Sequence, residues 1–425
     1  MRTTGLTLTS RGTFLAVLLT FSGHLAGQTP PPALTTLYTF RGGPADGAAP
    51  GTLVFGKGGV LYGTTGVGGA FNAGTVFSLT PPATSGGAWT ETILYNFATG
   101  SGDATSPNSS LVMDSNGVLY GTTSVGGAKG LGTVFSLAPP SESGSAWTET
   151  VLYSFTGAPG DGAEPLAGVV FGSGGVLYGT TNAGGPGACE FVPIGCGTVF
   201  QLAPPSYPGG AWTESVLHSF NATGGGRGPN APLAVGSRGE LYGTTYVSGA
   251  SGGGVVFALT PPSEPGGSWT KAVLSNQLGS ELTAGVVIGK KGVLYGTTQN
   301  GGFGNGTVFS LTPPASPGGA WTQKVLYTFR STPDGGTPIG GVAIGNGGVL
   351  YGATSGGGAN SEGAIFSLKP PSVPGGAWTE GFLYSLTYSE GISPRAGVVI
   401  GRNRLIYGTA ATGGLGYGTV FSLKP

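Results

Sequence analysis

Five carboxylates recur at one place in a spaced pattern. Asp46, Asp103, Asp161, Asp334 and Glu390 each stand four residues before a proline, at Pro50, Pro107, Pro165, Pro338 and Pro394. Gathered at one mouth, such a set could ligate a hard cation such as Ca²⁺ through oxygen. It could also hydrogen-bond a polyol, or supply the acid pair of a glycosidase. The plainer reading is that an Asp before Gly caps its own turn. Between the third and fourth acids, one segment has Gly228 ahead of Pro232 and the next has lost the pattern. No stretch carries the dense Asp spacing of a calcium loop. The five acids therefore stand as candidate binding residues, with no catalytic or metal-ligating residue assigned and no cofactor beyond an optional Ca²⁺.

Other chemistry is sparse. Past the first 27 residues His218 is the one histidine, at a place where other repeats have Tyr. A His-rich zinc site is excluded, and any Ser-His-Asp triad would depend on that residue. The string Gly249-Ala250-Ser251-Gly252-Gly253 fits a nucleophile elbow in letters but has no helix after it. Cys189 and Cys196, the two cysteines, share one long loop and predict a disulfide in an exported chain.

The elements that position these residues are set by a repeat. Leu-Tyr-Gly-Thr-Thr or a close variant recurs with its tyrosine at 62, 120, 178, 242, 295, 351 and 407. A period of roughly 57 residues means one supersecondary unit copied in tandem. Each unit holds four short runs rich in Val, Tyr, Thr and Phe, separated by Gly-Gly or Pro-Pro, and these read as strands. Seven such units predict an all-β, seven-bladed β-propeller of four-stranded antiparallel blades. The last unit ends after its third strand, at 418–423, and residues 34–40 match a fourth. Pairing the two would close the ring, a cut that a linear solenoid does not need. With strands lettered A to D from the axis, the A–B and Pro-Pro C–D turns share one face. The B–C loops and the D-to-A crossovers, which carry the acids, share the other. Trp89, Trp147, Trp212, Trp269, Trp321 and Trp378 each begin a D strand, with Leu34 in the matching place. One repeated position argues for packing between blades more than for a sugar platform.

Glycine is extreme, at 89 residues with 32 prolines, but it falls in register between apolar runs, as turns require. Charged residues are 8% and balance to zero, which gives nucleic acid no basic footprint. Arg2 and Arg11 precede the apolar run 14–21, with small residues at Ala26 and Gly27. Residues 1–27 read as an export signal, too short to anchor, and 28–425 as one propeller. Export leaves a chain with 15 basic and 17 acidic residues, no transmembrane segment, a secreted, periplasmic or surface location, and a monomeric state.

The blocks Gly-Val-Leu-Tyr-Gly-Thr-Thr at 117–123, Gly-Thr-Val-Phe-Ser-Leu at 132–137 and Trp-Thr-Glu-Thr-Val-Leu-Tyr-Ser-Phe at 147–155 resemble the GloVer tandem repeat of bacterial exported proteins. The resemblance implies export and a repeat array. It implies no known reaction and carries over no catalytic residue. The reading that follows is a non-enzymatic binding or scaffold module. It would recognise a glycan, peptide or protein on the crossover face, with the 186–196 loop as the recognition loop. The alternatives are a polysaccharide hydrolase or lyase working through mouth carboxylates, and a purely structural envelope component.

Overall fold

The computed structural model describes residues 32–425 apart from 85, 101, 108, 143, 187–188, 190–194, 208, 222–224, 248–251, 265, 279–280, 317 and 374. The expected export signal lies outside the described residues, as does most of the 186–196 loop. The described chain is a seven-bladed β-propeller with almost no helix. Blade 2 shows the order, with A, B, C and D at Val112–Met113, Leu119–Thr123, Thr133–Ala138 and Thr148–Ser154. All three pairings are antiparallel. The ring closes as expected, with Ala33–Thr39 pairing antiparallel to Thr419–Lys424 and Leu34 opposite Leu423.

The glycine of Leu-Tyr-Gly-Thr-Thr has a steric reason. Gly179 lies directly opposite Phe200 of strand C. A Cβ on Gly179 would stand 2.4 Å from the ring tip, well inside contact distance. The Phe therefore lies over the glycine, as aromatic rings do over bare strand positions. The core that results sits between blades, because each apolar cluster draws on two neighbours. Phe97 of blade 1 meets Phe135 of blade 2 edge-on with centroids 5.2 Å apart. Phe155 and Phe200 repeat the contact at the next seam. Edge-to-face pairs of this kind add about 0.5–1.5 kcal/mol beyond area burial.

The tryptophans form a second, outer layer. Trp147 packs on Tyr62 of the preceding blade, and the other five repeat this contact around the ring. At the closing seam Leu34 packs in the same cluster as Tyr351. Two features were not foreseen. Every D strand has a register shift, as at Val134/Phe135 opposite Tyr153 and Val151, which leaves Leu152 unopposed. Such a bulge re-aims the next side chain, here a Tyr that reaches the crossover. The crossovers also pair with the start of the following B–C loop, as Gly162–Ala163 does with Ala183–Gly184.

Candidate functional site

The five acids sit in matching crossovers, and each is tied to its own loop. Asp161 accepts from the Thr156 amide (2.7 Å), the Thr156 hydroxyl (2.9 Å), the Gly162 amide (2.6 Å) and the Tyr153 hydroxyl (2.9 Å). Asp46 accepts from the Arg41 and Gly47 amides and the Tyr38 hydroxyl. Asp103 accepts from the Ala98 and Ala104 amides. Asp334 takes the Arg330 amide and Tyr327 hydroxyl. Glu390 takes the Thr387 amide and hydroxyl and the Tyr384 hydroxyl. The residue before each crossover proline is left-handed although not glycine, at Ala49, Ser106, Glu164, Thr337 and Ser393, with φ between 54° and 57°. Acid, proline and left-handed residue together make one rigid corner at each of these five crossovers.

Each corner abuts the next blade's D strand, and there a second acid enters. Glu91, Glu149, Glu214 and Glu380 follow the Trp-Thr pair, and the Oε1 of each is buried without a hydrogen-bond partner among the described residues. Burial, and then the charge of Asp46, Asp103 or Asp161, pushes the carboxyls of Glu91, Glu149 and Glu214 up to about 7. Glu380 is raised for the same reasons, with Asp334 as its neighbour. The other seams are built differently. Where the corner acid is missing after blade 3, Lys271 replaces the Glu and donates to the Gly225 carbonyl, with its ammonium 4.5 Å from the Phe220 ring centre. Burial and Lys271 lower His218 to about 4, and burial lowers Lys271 to about 8. His218 packs edge-on against Phe220. At the next seam Ser275 bonds Gln323 directly. In the strand that closes the ring, Thr36 stands at the sequence position of the Glu. This seam chemistry was missed in the sequence, although the repeated Trp-Thr-Glu and its failures at Lys271, Gln323 and Thr36 are written there.

Large apolar side chains exposed on the crossover face were also missed. Phe71 and Phe303 stand on B–C loops at 57% and 73% exposure. Tyr388, Leu415 and Tyr417 gather around blade 7, where the Tyr388 carbonyl takes the Gly414 amide. Phe303 walls an open groove of about 670 Å³ with Arg330, Thr332, Tyr327 and Asp334. A second cavity, of about 490 Å³, lies on the axis between the A strands. Its lining is mostly small or aliphatic, Arg395 is its one charge, and no carboxylate or histidine faces it among the described residues. The cysteines form a disulfide, Cys189–Cys196, with Cα atoms 5.2 Å apart. No group of His, Cys, Asp or Glu able to hold a metal occurs among the described residues. No helix among them is long and apolar enough to cross a membrane.

A closed ring of seven like sheets, joined through repeated aromatic and polar seams, defines a tandem-repeat β-propeller. The chain belongs to the Gloeobacter/Verrucomicrobia repeat family, whose sequence pattern matches residues 20–192 and 148–323. No curated protein matches it. Among solved structures it is similar to a catalytically inactive virginiamycin B lyase from Staphylococcus aureus, with quinupristin. That likeness has 14% identity and a TM-score of 0.53, and covers 93% of this chain and 99% of that one. It is also similar to the PQQ domain of a pyranose dehydrogenase from Coprinopsis cinerea, at 13% identity and a TM-score of 0.41 over 94% and 98% of the two chains. At these identities the likeness is one of fold.

Proposed function

We propose that the chain is a secreted or cell-surface, non-enzymatic binding module that takes a glycan on its crossover face. The observation that carries this is the exposure of Phe71, Phe303, Tyr388, Leu415 and Tyr417 on that one face. Exposed apolar clusters beside polar groups mark interaction surfaces. The blade 5 groove sets the Phe303 ring beside Arg330 and Thr332, a flat apolar plate with donors at its edge that suits a sugar ring. The Cys189–Cys196 staple fits an oxidising compartment. Of the five acids, Asp334 lines the groove, while all five serve the corners that hold the loops in place. A hydrolase or lyase working through mouth carboxylates would need an acid pair toward the axis, and among the described residues the axial lining has none.

A glycan array on the refolded chain tests the reading, with peptide and protein arrays alongside. Phe303→Ala and Tyr388→Ala should each cut binding at least tenfold with unchanged melting. Binding that survives both, and survives deletion of 186–196, would move the site off this face. The reading needs no cofactor, so melting curves in calcium and in chelator should superimpose. A calcium-dependent rise would assign the corner acids a cation.

A further inference from the structure

Two of the five corners begin with an arginine. Arg330 stands just past the blade 5 D strand, Thr322–Thr328, and Arg41 just past the closing strand, Ala33–Thr39. The other three corners have Ala98, Thr156 and Thr387 in that place. Both arginines are exposed. Each gives its backbone amide to the corner acid, Arg330 to Asp334 (3.1 Å) and Arg41 to Asp46 (2.7 Å). Neither guanidinium has an ion-pair partner among the described residues. The two acids are buried and already committed, since Asp334 also accepts from the Tyr327 hydroxyl and Asp46 from that of Tyr38. Apolar side chains stand beside both arginines. Arg330 shares the blade 5 groove with Phe303, Tyr327 and Thr332. Gly42, next to Arg41, lies against the Tyr417 ring, where an added Cβ would stand 2.5 Å from it. Leu415, two residues before Tyr417, is 62% exposed. Blade 1 has its exposed Phe71 with no arginine, because Ala98 holds that place. An unpaired guanidinium and an apolar plate thus coincide twice on one face.

We propose that the glycan taken by this face is an acidic one, an assignment that rests on the glycan reading and names the sugar class. Arg330 and Arg41 hold its carboxylate or sulfate groups. A planar guanidinium fork meets two oxygens of one acid group in parallel bonds. In blade 5 the Phe303 ring takes the apolar face of the sugar, and Thr332 offers a hydroxyl at its rim. A neutral sugar would gain nothing from the guanidinium, and a bare inorganic anion would gain nothing from the ring. Asp334 is the one carboxylate lining the groove among the described residues, and its oxygens are held by Tyr327 and the Arg330 amide. The chain has no general pull on polyanions, because past residue 27 it carries 15 basic and 17 acidic residues. The attraction is therefore local to the two arginine corners.

Titration calorimetry on the refolded chain tests it with two pairs of sugars: tetragalacturonate and its methyl ester, and a sulfated carrageenan tetrasaccharide and its desulfated form. The charged member of a pair should bind roughly tenfold more tightly than the uncharged one, the weight of one charge-assisted hydrogen bond, and added salt should shrink that difference. The charged sugar should fill two sites per chain. Arg330→Gln and Arg41→Gln should each remove one of them and leave the uncharged sugar unaffected, while Arg402→Gln, an exposed charge on an A–B turn of the opposite face, should change nothing. Arg330→Lys, which keeps the charge and loses the fork, should fall between, and gives a second reading if the Gln variant melts early. Tighter binding of tetragalacturonate than of the carrageenan would name carboxylate as the acid group, and the reverse would name sulfate. Phe303→Ala should weaken charged and uncharged sugars alike in blade 5. Equal binding within both pairs, or indifference to both Arg→Gln changes in variants that melt normally, would overturn the acidic class, and the glycan reading would still stand if Phe303→Ala weakened what bound. Binding of no sugar, charged or neutral, would remove the glycan reading and the acidic class with it.

Discussion

At the seam between blades 2 and 3 two carboxyls meet with opposite fates. Asp161 is saturated by four donors, while the buried Glu214 Oε1 has no hydrogen-bond partner among the described residues. Asp161→Ala would strand those donors, at roughly 1–3 kcal/mol for each buried polar group left unpaired, and the loss should appear as a lower urea midpoint. The glutamates set a pH dependence. Their folded carboxyls sit at about 7 against an ordinary 4.5, so between these values the folded chain holds more protons than the unfolded one. Stability is then full below about 4.5 and falls as pH rises toward 7. His218, lowered to about 4, opposes this between 4 and 6.5, but one histidine faces three such glutamates. The melting temperature should fall from pH 5 to pH 7.5, and the triple change Glu91→Gln, Glu149→Gln, Glu214→Gln should flatten that slope. A wild-type curve that rises over the range would show that the seam acids ionise freely.

The strands themselves were readable, because Val-Phe-Ser-Leu and Leu-Tyr-Gly-Thr-Thr alternate and are fenced by Gly-Gly and Pro-Pro. The inner glycine of the second run now has a cause in the Phe that covers it. Gly179→Ala sets a Cβ 2.4 Å from the Phe200 ring, and overpacking of this kind costs about 1–3 kcal/mol. Thermal denaturation should show the loss, and Phe200→Leu should recover part of it in the double variant. Less readable were the D-strand bulge at Leu152 and the pairing of Gly162–Ala163 with Ala183–Gly184. Both rest on backbone bonds, which leave no mark on residue type. The exposed Phe71 and Phe303 escaped notice for another reason. They lie in loops outside the repeat register, so no periodicity points at them.

For the whole ring, closure depends on one non-covalent strand. Removing residues 28–40 takes away the partner of Thr419–Lys424 and Phe40 from the core. An uncovered edge invites pairing with another chain, so the truncated protein should elute as dimers or larger species in size-exclusion chromatography, and a peptide of 32–41 should restore the monomer. The same seam shows how the ring avoids that fate when intact. Repeat proteins exchange parts easily because every neighbour looks alike. Here three of the seven joints differ from the other four. Four joints pair a corner Asp with a Glu, one sets Lys271 beside His218, one joins Ser275 to Gln323, and the closing strand brings Thr36 and Tyr38 to a blade that follows Glu390. A strand from a second molecule, offered at the wrong joint, would bring a glutamate with no corner to receive it or a lysine with no carbonyl to meet. The three odd seams thus act as addresses, by which the joints on either side of blade 4 and the closing strand are told from the other four.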